Sequence, residues 1–180
     1  MNTNSTNFWW LAGALCGVLI VAVVFLIKQA MGGKIADFDE RQTAARGEAF
    51  KYAFFTTAAA ELFYVCAAEG GFSPFDTALG PILGVLLGVT VFAVIAVVRD
   101  AYISLREKPR STVILSSLMI VINLLAGIPK LTDGRVFQNG QMTFDGVNLI
   151  MAAMFAVILA VLVIHWIRGR GTGDAREADE

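Results

Sequence analysis

Long runs of uncharged apolar residues constrain the fold of this chain more than any other feature of its sequence. Residues 8–27 and 79–98 carry no charged side chain, and residues 147–167 are interrupted only by Asn148 and His165. A helix of roughly 20 apolar residues crosses the hydrocarbon core of a bilayer. Because the backbone inside a bilayer must satisfy its own hydrogen bonds, each run predicts a transmembrane helix.

Two further runs are shorter than these three. Residues 112–128 are uncharged, and Pro129 follows them as a signal for the end of that helix. Residues 53–68 contain Glu61 in their middle, so their length and hydropathy alone do not decide whether they cross the membrane.

The distribution of cationic residues decides the doubtful case, because Lys and Arg collect on the cytoplasmic side. With five spans and an external N-terminus, all of the 14 Lys and Arg residues except Lys130 and Arg135 lie inside. Without a span at residues 53–68, the two sides would carry equal numbers. The prediction is an all-α, polytopic transmembrane helix bundle with the N-terminus outside and the C-terminus inside. Its five spans cover about residues 8–27, 53–68, 79–98, 112–128 and 147–167.

Composition excludes several other classes of protein. The chain is 57% apolar and 16% charged, and its net charge is −1. A disordered chain has far more charge, and a nucleic-acid-binding domain of the basic-patch type has a strongly positive surface. Two Cys residues are too few for a disulfide scaffold. The predicted partners are therefore the lipid bilayer and other proteins, and no nucleic acid is expected.

The connections between the spans are short. Residues 1–168 are predicted to form a single transmembrane domain, with residues 169–180 as a disordered cytoplasmic tail. Asp39 with Gln42 three residues later predicts a capping box at the start of a helix that continues into the second span. Asn139-Gly140 between extended segments predicts a two-residue turn in a short extracellular hairpin.

Small residues at four-residue spacing predict where helices approach each other closely in the membrane. They form one set on the third span and another on the first: Gly80, Gly84 and Gly88, with Gly13 and Gly17. Such sets pack helices within one chain or between copies in a homo-oligomer, and the sequence leaves both alternatives open.

Glu61 is the most unusual residue for its predicted depth. A carboxylate near mid-membrane costs on the order of 3 kcal/mol or more, so it is neutral, paired or next to water. Asn123 in the fourth span lies at a similar predicted depth, and Thr57 lies one turn away on the same helix. Two hypotheses remain: a proton or cation site, or a structural hydrogen bond from Glu61 to Asn123 or Thr57.

The sequence contains no motif that favours an enzyme. There is no nucleophile motif, no P-loop and no second His with which His165 could bind zinc, so we predict no catalytic, metal or cofactor site. A lone His near the end of a span is typical of an interfacial residue.

Two segments on the predicted cytoplasmic side carry recognisable motifs. The first is DERQ at residues 39–42 followed by RGEAFKYAF at 46–54, and the second is RDAYISLRE at 99–107. They resemble a group of functionally uncharacterised, small multi-span membrane proteins of Gram-positive bacteria, with a DERQ…RGxAF segment before the second span. The resemblance implies a bacterial cytoplasmic membrane protein that accompanies small helix-turn-helix regulators, and it implies no activity.

Three functional hypotheses follow from these patterns. The first is a non-enzymatic accessory or regulatory membrane protein with a cytoplasmic partner-binding face, although the same charges would also serve as a structural clasp. The predicted face consists of Asp39, Glu40, Arg41, Arg46, Asp100, Tyr102 and Arg106. The second is a small oligomeric transporter or channel that uses Glu61. The third, a membrane enzyme acting on lipid or peptide, has the least support.

Overall fold

Four α-helices, a two-stranded sheet and one 3-10 helix form the part of the chain described by this computed structural model, residues 38–104 and 109–177. In chain order these elements are α1 (Glu40–Glu69), α2 (Leu79–Val98), α3 (Pro109–Thr132), β1 (Phe137–Gln138), β2 (Gln141–Met142), the 3-10 helix (Phe144–Gly146) and α4 (Val147–Glu177).

Residues 1–37 form a separate unit of the chain. Of this unit the structure describes only Leu19, Ala22, Val23 and Leu26, and all four are helical. Gly13 and Gly17 of the predicted first span therefore lie outside the described residues, as does Arg106 of the predicted partner face.

Three helical segments of the described chain are long and apolar enough to cross a membrane. They are Leu79–Val98, Arg110–Thr132 and Phe144–Arg168. The chain is therefore an α-helical, membrane-embedded protein, which confirms the predicted all-α class. Residues 53–68 lie within α1, where Glu61 and two threonines lower the hydropathy.

The helices pack in a row in which α1 contacts α2, α2 contacts α4, and α4 contacts α3. The main apolar cluster lies between α2 and α4, where Ala93 and Val97 are buried against Ile158 and Leu162. The segments that precede α2 and α4 also lie side by side, where Asp76 accepts a hydrogen bond from the amide of Phe144. The two helices therefore run parallel, as a result of the α3 crossover.

The buried glycines of α2 set its distance from α1. Gly80, Gly84 and Gly88 face Tyr64, Glu61 and Thr57 of α1, respectively. A Cβ atom added at Gly88 would lie 3.0 Å from the backbone oxygen of Ala53, which cannot rotate away. The glycine set therefore serves packing within this chain, and it allows α1 to place polar side chains against α2.

The end of α3 differs from the prediction. Pro129 lies inside the helix, which continues to Thr132. The turn that ends it is at Gly134, which has φ +69°. The amide of Gly134 donates to the carbonyl of Leu131 at 3.1 Å, and the amide of Arg135 donates to the carbonyl of Lys130 at 3.0 Å. This Schellman arrangement satisfies the last carbonyls, and a proline one turn before the end removes only one hydrogen bond.

The last helix is also longer than the sequence indicates. α4 runs from Val147 to Glu177, whereas we predicted a span that ends at residue 167 and a disordered tail over 169–180. Extending an existing helix is far easier than nucleating a new one, so α4 continues through Gly169, Gly171 and Gly173 although glycine disfavours a helix. Residues 178–180 lie outside the described part.

A tight turn joins β1 and β2. Asn139 and Gly140 both have positive φ, +51° and +80°, as a two-residue type I′ turn requires. The strands are antiparallel, with Phe137 opposite Met142 and Gln138 opposite Gln141.

Asp76 connects this sheet to the start of α2. Its Oδ1 accepts hydrogen bonds from the amides of Ala78 and Leu79 at 3.0 and 2.6 Å, and its Oδ2 accepts one from the amide of Phe144 at 2.6 Å. Its own amide donates to the carbonyl of Met142 at 2.9 Å. One side chain thus caps a helix and fixes the loop before α4.

We predict that Gly88→Ala destabilises the α1–α2 interface because the new methyl group meets a fixed carbonyl. Overpacking of this kind costs about 1–3 kcal/mol and lowers the midpoint of thermal unfolding by about 2–10 °C. Gly47→Ala is the matched control, since nothing lies within 4 Å of a Cβ atom there. It should raise the midpoint slightly because Ala favours a helix. Equal midpoints for both variants, measured in detergent micelles, would contradict the packing described here.

Candidate functional site

The first turn of α1 begins with the capping box that the sequence predicts. The Oδ1 of Asp39 accepts a hydrogen bond from the amide of Gln42 at 2.6 Å, and the Oε1 of Gln42 accepts one from the amide of Asp39 at 3.3 Å. Two otherwise unpaired helix donors are satisfied in this way. The Asp39 carboxylate is therefore committed to the helix end.

Gln42 has a second role, which its sequence context does not reveal. Its Nε2 donates to the carbonyls of Asp100 and Ile103 at 2.7 and 3.4 Å, and only 6% of the residue is exposed. One buried amide thus caps α1 with its oxygen and binds the chain after α2 with its nitrogen. A buried amide with all its groups paired strongly favours one arrangement of the two segments.

Arg46 lies one turn further along the same side of α1. Its Nη1 donates to the carbonyl of Ala101 at 3.0 Å. Its guanidinium carbon lies 4.2 Å from the ring centroid of Phe38 and 5.2 Å from that of Phe92, within the range of cation–π attraction. We refer to Gln42, Arg46 and the loop 99–104 as the clasp.

Asp100 extends the clasp to α4. It has φ +55° and forms part of the Schellman turn that ends α2. Its amide donates to the carbonyl of Val97 at 3.1 Å, and the amide of Ala101 donates to the carbonyl of Ala96 at 2.7 Å. Its Oδ1 lies 2.7 Å from the Nε2 of His165. His165 is therefore more than an interfacial residue: it joins α4 to the loop that α1 also binds.

The residues of the predicted partner face divide into two sets. Arg46 and Asp100 bind other elements of the chain, and Tyr102 packs against the cluster between α2 and α4. Glu40 and Arg41 are exposed, and neither forms an ion pair with a residue that the structure describes. The clasp accounts for the first set and leaves the second set open.

The exposed side of α1 near its start carries charged residues around small ones. They are Glu40, Arg41, Ala44, Gly47 and Lys51, and all five are exposed. Because Gly47 has open space around it, the backbone is accessible there. We refer to these five residues as the open face of α1.

Glu61 lies in the second half of α1, against Gly84 of α2. Its Oε1 is buried and has no hydrogen-bond partner among the residues that the structure describes. Asn123 does not supply one, because its Nδ2 donates to the carbonyl of Met119 on its own helix at 2.8 Å. The sequence predicted this pair because the two residues lie at a similar predicted depth in the membrane. However, α1 packs on α2, whereas Asn123 belongs to α3, which packs on α4.

The described residues contain no group of three or more His, Cys, Asp and Glu side chains that could hold a metal ion. No family model, curated protein or solved structure matches this chain. The candidate sites therefore rest on the geometry of the clasp, the open face of α1 and Glu61.

We predict that Gln42→Ala loosens the loop 99–104. The change removes the hydrogen bonds to the carbonyls of Asp100 and Ile103 and one half of the capping box. Amide hydrogen exchange in the loop should become about tenfold faster or more. Arg41→Gln on the same turn is the control and should leave the exchange unchanged. Slow exchange in the Gln42→Ala variant would show that the clasp does not order this loop.

Proposed function

We propose that the chain crosses a bacterial cytoplasmic membrane five times, with its N-terminus outside and its C-terminus inside. Residues 8–27 and 53–68 would then span together with the three apolar helices. Support for α1 comes from its large exposed apolar side chains, among them Phe54, Phe55 and Phe63, because such residues are stable against lipid. The clasp would lie at the inner surface, and the turn at Asn139-Gly140 would belong to an extracellular hairpin.

Within this topology, we propose that the protein is a non-enzymatic accessory or regulatory membrane protein. The observation that carries this proposal is the contrast between the two sides of α1. Gln42 and Arg46 hold one side in place, while the open face carries Glu40, Arg41 and Lys51 in solvent. A helix that is fixed on one side offers its other side to a partner without losing further conformational freedom.

The composition of the open face indicates the kind of partner that fits it. Ala44 and Gly47 permit the close approach of a second helix. Arg41 and Lys51 would pair with acidic side chains on that helix, and Glu40 with a basic one. The partner is therefore a protein helix at the inner surface of the membrane, with charges complementary to these three residues.

We expect a stoichiometric partner to co-purify with the protein from native membranes in mild detergent. Arg41→Glu and Gly47→Leu should each remove this partner. Neither change harms the fold, since an acidic residue is favourable in the first turn of a helix and Gly47 has free space. Arg46 is unsuitable for this test because it belongs to the clasp.

Arg135→Glu is the control for charge reversal away from α1, because Arg135 is exposed and its ion pairs with Asp133 and Asp145 lie beyond α3 near the strands. It should leave the partner bound. Mass spectrometry identifies the partner and its amount in each variant. If all variants retain the same partner, or if the wild-type protein brings down only further copies of itself, the open face is not a partner-binding surface.

A second candidate function is a small oligomeric transporter or channel that uses Glu61. The observation that favours it is the buried Oε1, which has no hydrogen-bond partner in the described residues. A buried carboxyl group without a partner is costly, and in membrane proteins such groups commonly bind protons or cations.

For this alternative, we expect Glu61→Gln to abolish proton or cation flux in liposomes while the protein remains folded. Gln has the same shape as Glu but neither binds nor releases a proton. Thr57→Val, at the next turn of the same interface, is the control and should keep most of the flux. Equal flux in the wild-type and Glu61→Gln proteins would remove Glu61 from any transport mechanism.

A further inference from the structure

A cavity of about 460 Å³ lies beside the clasp, between the start of α3, residues 162–166 of α4 and the loop 99–104. Most of its wall is apolar and consists of Ile103, Val113, Leu162, Val163 and Trp166. Asp100, Arg110 and His165 supply its polar groups. A volume of this size with few polar groups is typical of a site for an amphipathic small molecule.

Two side chains of opposite charge in this cavity are available to a ligand. Arg110 lies in the first turn of α3, is exposed and forms no ion pair with a residue that the structure describes. Asp100 uses its Oδ1 for His165, and its side chain is 60% exposed. Its Oδ2 therefore remains available to accept a hydrogen bond from a ligand. A ligand that fits both residues carries an anionic group and a cationic donor.

The backbone at Asp100 indicates that its side chain is needed. α1 and α3 end in the same kind of turn as α2, but they use Gly71 and Gly134 at the left-handed position. A non-glycine residue there costs on the order of 1 kcal/mol. Strain of this kind at a residue that lines a cavity is typical of a functional position.

The location of the cavity indicates where the ligand comes from. Its walls belong to two helices that are long and apolar enough to cross a membrane, near the ends of both. Trp166 is 52% exposed at the same level, and an indole ring at the end of a span is typical of the headgroup region. A molecule that reaches this cavity from the bilayer has an apolar chain and a polar head.

We propose that this cavity binds a phospholipid whose headgroup contains a phosphate and a primary ammonium group. The guanidinium of Arg110 donates to the phosphate, and the Oδ2 of Asp100 accepts from the ammonium group. An acyl chain lies against Val113 and Val163. A purely anionic headgroup would face Asp100 unfavourably, and a choline headgroup has no N–H donor for that carboxylate.

Quenching of Trp166 fluorescence by lipids with brominated chains tests this proposal. Trp9→Phe and Trp10→Phe together leave Trp166 as the sole Trp. This protein is placed in phosphatidylcholine vesicles that contain brominated phosphatidylethanolamine, phosphatidylglycerol or phosphatidylcholine at the same mole fraction. We expect phosphatidylethanolamine to occupy the cavity about fivefold more than either other lipid, and to quench Trp166 most strongly.

Two further substitutions in the protein with Trp166 as its sole Trp test which residues cause the selectivity for phosphatidylethanolamine. Arg110→Gln and Asp100→Asn should each abolish the preference for phosphatidylethanolamine. Asn adopts the left-handed conformation at least as readily as Asp, so the turn at residue 100 is retained. Arg135→Gln, outside the cavity, should leave the preference unchanged.

The comparison of the three lipids in the protein with Trp166 as its sole Trp decides the proposal even if Arg110→Gln or Asp100→Asn fails to fold. Equal quenching by the three brominated lipids would mean that Trp166 touches bulk lipid without a selective site, and it would overturn the proposal. Strongest quenching by phosphatidylglycerol would assign the cavity to an anionic lipid and would equally overturn it. A preference that survives both cavity variants would show that Arg110 and Asp100 do not create it.

Discussion

The close approach of α1 and α2 is the contact on which the rest of the structure depends. Glycine on α2 lets the polar side of α1 lie directly against the neighbouring backbone, so the Oε1 of Glu61 is buried between the two helices. The same approach brings the start of α1 to the end of α2, where Gln42 and Arg46 reach carbonyl groups. In a bilayer this contact relies on packing and hydrogen bonds, because lipid removes most of the hydrophobic driving force between helices.

The features that depend on neighbouring residues in the chain could be predicted from the sequence. The capping box of α1 needs only Asp39 and Gln42, and the long apolar helices need only their own composition. The targets of Gln42 and Arg46 could not be predicted, because they are backbone carbonyls, which leave no trace in the sequence. The lateral order of the helices was also hidden, and for that reason the Glu61–Asn123 hydrogen bond was a reasonable but unobserved hypothesis.

The two ends of α2 are fixed by different chemistry. At its start the carboxylate of Asp76 accepts backbone N–H groups from two segments. At its end, side-chain donors of α1 bind the backbone carbonyls of the loop 99–104. The first arrangement satisfies amides that the start of a helix leaves unpaired, and the second holds the loop whose own amides satisfy the last carbonyls of α2. α2 is thereby fixed at both termini, and it separates the enclosed surface of α1 from the main apolar cluster with α4.

The two sides of the clasp also tolerate different kinds of amino-acid substitution. Its acceptors are main-chain oxygens, which every amino acid supplies, so the identity of Ile103 matters little for the bond it receives. Its donors are two particular side chains, and no other residue type reproduces the reach and geometry of both. Variation at Ile103 and at the fully buried Ala101 is therefore limited by volume, whereas variation at Gln42 and Arg46 is limited by hydrogen-bonding chemistry. Two segments in contact can thus follow separate rules of substitution.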